Sequence, residues 1–111
     1  MNRTSYGGIG MTTPKAGNWH AILGEFAPDL LKNVTGLQET LLVEGALSIK
    51  TKTLMMMLCD ALLGHSDGVA NIAKRARDLG ASNAEIAETL AIAFIMGGLP
   101  GLVTGANAFR D

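Results

Sequence analysis

Cysteine is almost missing: the 111 residues contain one, Cys59. A single thiol excludes a disulfide framework within the chain and any zinc site built from several thiolates of one copy. Charge is sparse as well. Charged residues make up 17% of the chain, against about 25% in ordinary domains. Nine basic residues against ten acidic ones leave a net charge of -1, with no basic excess to hold a phosphate backbone, so nucleic acid is excluded as the expected partner. Aromatic residues are few: three Phe, one Trp and one Tyr. No apolar run follows the basic residue near the N-terminus, so no secretory signal is expected. The longest apolar stretch, 90–103, is too short to span a bilayer and is cut by Gly97, Gly98, Pro100 and Gly101. A cytoplasmic protein with no membrane partner is the expectation.

What the chain has in quantity is apolar residues, 48% of the total. That excludes disorder. In so small a domain it also predicts burial against further copies, a homo-oligomer. Residues 1–17, with Gly7, Gly8, Gly10, Pro14 and Gly17, read as a flexible N-terminal arm. Residues 18–111 read as one helical domain, an all-α compact bundle of about six helices with no strand pattern.

The helix signals are local. Asn18 precedes a short helix with Trp19, Ile22, Leu23 and Phe26 on one face, and Pro28 suits the first turn of the next. Ser48 caps a helix over 49–63 that is apolar on every side after Lys52, which predicts burial in a core or between subunits. Gly64 breaks it, and Ser66 or Asp67 opens another helix with Val69, Ile72, Ala73, Ala76 and Leu79 inward. Lys74, Arg75, Arg77 and Asp78 are placed toward water. Gly80 supplies the left-handed stop. Ser82 and Glu85 form a capping box for a helix over 83–96. Gly97 and Gly98 close that helix, and Pro100 begins a last one toward Phe109.

Candidates for chemistry are few. Cys59, among Met and Leu of the all-apolar helix, is expected to be buried and inert, since reactivity needs an accessible thiolate. Asp60 is the one charge in that turn and needs a partner, with a Lys or Arg the expected one. His65, at the helix break beside Ser66 and Asp67, has the placement of a base, a ligand or a helix-end residue. His65, Asp67 and Cys59 have no recognised ligand spacing, so no metal and no cofactor is expected. The glycines around Pro100 lack the lysine and spacing of a phosphate loop.

The stretch from Gly45 through Leu54 resembles the "LDPKTREL" helix start of the carboxymuconolactone decarboxylase family, which includes the alkylhydroperoxidase D-like proteins. Residues Ala73 through Glu88 resemble its A-x-x-x-G-A-(S/T)-x-x-E-I-x-E segment, and Gly97-Gly98-Leu99-Pro100 its terminal Gly-Gly-x-Pro. The likeness is strong over the second half and looser over 19–36. It implies an all-α oligomer, a trimer or hexamer, and, for the peroxidase members, an E…C-x-x-C-x-x-x-H set with peroxiredoxin-type antioxidant activity. Counting back from Gly80 puts those positions at Thr53, His65, Gly68 and Ile72. All four are substituted, so the thiol peroxidase cycle is expected to be lost. The lactone decarboxylases resemble the peroxidases in keeping a histidine where Ile72 stands. Three expectations follow: a divergent member binding a small ligand in a pocket near Thr53, His65, Asp67, Gly68 and Ile72; a lactone decarboxylase- or isomerase-like enzyme with His65 as acid/base beside Asp60 or Asp67; or a non-catalytic ligand- or partner-binding subunit.

Overall fold

A computed structural model describes residues 18–111. The arm expected at 1–17 lies outside them. The described residues are helical, with no strand among them, and separate into two compact units dividing between Glu44 and Gly45.

The first unit holds α1 (Trp19–Phe26) and α2 (Pro28–Leu41). Pro28 stands in the first turn of α2, where its missing N–H costs nothing. Ile22 and Phe26, placed on one face from spacing, are exposed, and neither helix has a fully buried residue.

The second unit holds α3 (Ile49–Leu62), α4 (Ser66–Asp78), α5 (Asn83–Gly105) and a terminal 3-10 turn, Ala106–Phe109. Its helix ends follow local chemistry. Ser48 Oγ accepts the Thr51 N–H at 3.0 Å. Ser82 Oγ accepts from the Glu85 N–H while Glu85 Oε1 accepts from the Ser82 N–H, completing the capping box. Helices α3 and α4 both end in the same two-bond motif. The Gly64 N–H donates to Ala61 O and the His65 N–H to Asp60 O; the Gly80 N–H donates to Arg77 O and the Ala81 N–H to Ala76 O. Gly64 and Gly80, at φ 80° and 99°, supply the left-handed residue that this motif needs.

The core is built mainly from small residues. Met57, Ala61, Val69, Ala73, Ala76, Ile86, Leu90, Ala93 and Ala108 are buried together, with Leu54, Leu58, Ile72 and Leu102 partly buried against them. Alanines let the helix axes approach, and the large members, Met57, Val69 and Ile86, each stabilise the fold by roughly 1.5–3 kcal/mol on full burial.

Helix α5 breaks at Gly98 (φ 69°, ψ -163°), where Gly97 and Gly98 were read as a stop. The chain then doubles back. A Cβ built at Gly105 would stand 2.5 Å from Leu90 Cδ2, and one at Gly101 2.9 Å from Ala93 O. In a straight helix, residues 90 and 105 would lie roughly 22 Å apart. By length and composition 83–109 is apolar enough to cross a membrane, yet its two limbs lie side by side and present no continuous span.

Two expectations are corrected here. Within the single chain helix α3 buries one face, with Thr53, Met57 and Ala61 inward, while Met55, Cys59, Leu62 and the cap residue Leu63 are exposed, the face that burial between subunits would cover. An all-apolar helix carries no directional signal, and Cys59, expected to be buried, has an exposed thiol within the single chain. Arg77, placed toward water, is instead a strap. Its Nη1 donates to Ala108 O at 3.0 Å, its Nε donates to Asn83 Oδ1, and the guanidinium lies 5.5 Å from the Phe109 ring centroid.

Candidate functional site

The α3–α4 corner gathers the chemistry. Asp60 is the third residue from the end of α3, and the Gly64 left-handed turn returns the chain so that His65 lies over it. The His65 N–H donates to Asp60 O at 2.9 Å, and His65 Nδ1 sits 2.9 Å from Asp60 Oδ1. Backbone and side chain of the same two residues are thus joined twice. An ionised carboxylate has no proton to give, so Nδ1 carries the hydrogen and donates it, leaving Nε2 as the free nitrogen. The Asp60 side chain is largely withdrawn, 21% exposed, whereas the imidazole is 59% exposed.

The same carboxylate covers Gly68 in the first turn of α4. A Cβ added there would fall 2.8 Å from Asp60 Cγ and closer still to Oδ2. Asp60, His65 and Gly68 therefore form one cluster.

The other expected site residues do not join it. Thr53 is buried in α3, and its hydroxyl donates to Ile49 O one turn earlier at 2.8 Å, within its own helix. Ile72 belongs to the apolar layer against the core. Asp67, offered with Asp60 as a partner for His65, is taken by Arg110, whose Nη2 approaches Asp67 Oδ1 at 2.6 Å while Nη1 donates to Asn107 Oδ1. Asp60 pairs with a histidine, not with the Lys or Arg expected. Among the described residues, no three His, Cys, Asp or Glu come together as a metal-binding group.

Of the two carboxylates expected near His65, Asp60 is the one that meets it, a carboxylate four residues before a helix-stopping glycine with the histidine just after it. The Arg110 contact, 43 residues away in sequence, had no such signal.

Away from this corner, the Lys50 ammonium meets Glu85 Oε2 at 2.9 Å. The Glu85 carboxyl is held below its usual range, first by the Ser82 backbone N–H and then by Lys50.

The described residues thus form an all-α fold in which the α3–α4 corner joins a histidine to a carboxylate. A sequence model described as "Carboxymuconolactone decarboxylase family" matches residues 28–111, and the chain belongs to that family. Neither a curated protein nor a solved structure matches it.

Proposed function

We propose that this family member has no thiol peroxidase cycle and moves protons through His65, with Asp60 as its orienting partner, on a small carboxylated lactone or related acid. The observation that carries this reading is the 2.9 Å Nδ1–Oδ1 pair at the family's first thiol position. A peroxidase of this type needs a thiolate and a second thiol to resolve it. Positions 65 and 68 hold histidine and glycine, and Cys59 faces outward from α3. The pair supplies what proton transfer needs: a fixed tautomer with an open Nε2.

In a decarboxylation, the C–C bond to the carboxylate breaks, CO2 leaves, and the electron pair delocalises into the conjugated carbonyl. His65, having taken a proton from water at Nε2, then delivers that proton to the carbanion and returns to its Nδ1–H form. Asp60 stabilises the imidazolium before that transfer.

The exposed imidazole requires a cover. We place it against a second copy of this chain, in the trimer or hexamer that the family resemblance implies, since apolar Leu63 stands exposed two residues away. A cytoplasmic setting, where a lone exposed thiol stays reduced, fits the same reading.

The test compares CO2 release from a carboxylated γ-lactone by the wild type, His65→Gln and Asp60→Asn, beside organic hydroperoxide turnover with a dithiol reductant. Lactone turnover should fall at least about 100-fold in His65→Gln, the scale of a lost general acid. Hydroperoxide turnover should be absent. Thiol-dependent turnover surviving Cys59→Ser, or lactone turnover indifferent to His65, would overturn the proposal.

A further inference from the structure

We infer that Gly68 is a positioning residue for His65: lacking a side chain, it leaves room for the Asp60 carboxylate over the first turn of α4 and so fixes His65 in its Nδ1–H form. The inference rests on the Asp60–His65 pair read above as the proton-moving group.

Gly68 has no conformational reason to be glycine. The left-handed glycines among the described residues are Gly64, Gly80 and Gly98, and Gly68 is an ordinary residue inside α4. Glycine within a helix is less favourable than alanine, so its presence works against α4 taken alone. What the position does require is space, because a Cβ there would lie 2.8 Å from Asp60 Cγ. Contacts so short are to the body of the carboxyl group. The backbone cannot relieve them easily, since the His65 N–H is already tied to Asp60 O at 2.9 Å. The remaining freedom is rotation of the Asp60 side chain, which would carry Oδ1 away from His65 Nδ1. A side chain at 68 and a carboxylate bridging 60 to 65 thus exclude one another. Gly68 touches no reacting group and acts only through Asp60.

The readout is the tautomer of neutral His65, followed by 15N–1H correlation across the imidazole ring, with the backbone amide signals of the core residues Ile86 and Leu90, in the same unit, as internal reference. In the wild type Nδ1–H should be the major form. Asp60→Ala should make Nε2–H the major form, the ordinary preference of an unpaired imidazole. Gly68→Ala should do the same, and adding Gly68→Ala to Asp60→Ala should change nothing further. A general loosening of the second unit would instead move the Ile86 and Leu90 amide signals as well. If Gly68→Ala alone is too unstable to record, removal of the clash by Asp60→Ala should raise its Tm. Failure of that rescue overturns the inference, as does a Gly68→Ala protein that keeps the Nδ1–H form. A wild-type tautomer indifferent to Asp60→Ala overturns the pair itself, and with it the functional reading. Gly68→Ala with Nδ1–H intact leaves that reading standing and removes only the role of Gly68.

Discussion

At Thr53 the hydroxyl is satisfied by Ile49 O within its own helix, and the side chain is 1% exposed. The resemblance to the family's peroxidase members implies a glutamate at this position. Here the surroundings are those of an apolar layer, beside Met57 and Ala61 on the inner face of α3. Restoring the carboxylate would bury a charge without a counter-ion. Thr53→Glu should therefore cost about 3 kcal/mol or more in urea unfolding. Thr53→Val keeps shape and forfeits one helix-internal bond, so it should stay within about 1 kcal/mol of wild type. A well-folded Thr53→Glu protein would show that an inner polar site survives. Cys59 gives the opposite case. Its thiol is exposed, and Cys59→Ser should change stability by no more than about 0.5 kcal/mol. A larger loss would return the thiol to the core.

Helix ends were the most legible elements because their chemistry is carried by neighbouring residues. Ser48, the Ser82–Glu85 box and Gly80 were read correctly from four-residue windows, and the structure shows their bonds. Gly64 extends the same logic to the site, since its left-handed turn returns His65 to Asp60. A Cβ at Gly64 would meet nothing within 4 Å, so Gly64→Ala carries only the conformational cost, about 1–2 kcal/mol in chemical denaturation. The capping box predicts a pH dependence of known sign. Because the folded-state pKa of Glu85 is depressed, its contribution is present above the ordinary carboxylate range and is lost as pH falls through the lower, folded value. Thermal scans from about pH 5 downward should show a shallower decline for Glu85→Gln than for wild type. Parallel declines would exclude Glu85 as a contributor. What local windows did not carry was direction. The apolar α3 has residues of one kind on every side, so inner and outer faces follow only from what α4 and α5 lay against it. Likewise, the glycines at 97 and 98 announced a break, but the fold-back that sets Gly105 against Leu90 needs the tertiary arrangement.

On the scale of the molecule, an apolar surplus in the composition reappears as apolar surface. Ile95, Met96, Leu99 and Val103 stand exposed on the two limbs of α5, Met96 at 72%. On α3, Leu62 contacts the Gly97 position at the α5 break, so the outward residues of α3 adjoin this surface. Single exposed leucines are ordinary, but a group of this kind fits the contact with another copy proposed above. The doubled-back α5 presents its apolar residues on a short helical hairpin, which suits the flat face of another copy better than the depth of a bilayer. The full chain should therefore run above monomer mass in light scattering. Met96→Glu should shift it toward monomer while leaving the helical circular dichroism intact, because the substituted side chain lies outside the core. The same variant should lose lactone turnover if a neighbouring copy covers His65, and should keep the Nδ1–H tautomer, which depends on Asp60 within one chain. A wild-type monomer in solution would remove the interface, and a monomeric Met96→Glu protein with full turnover would show that the Asp60–His65 corner needs no cover.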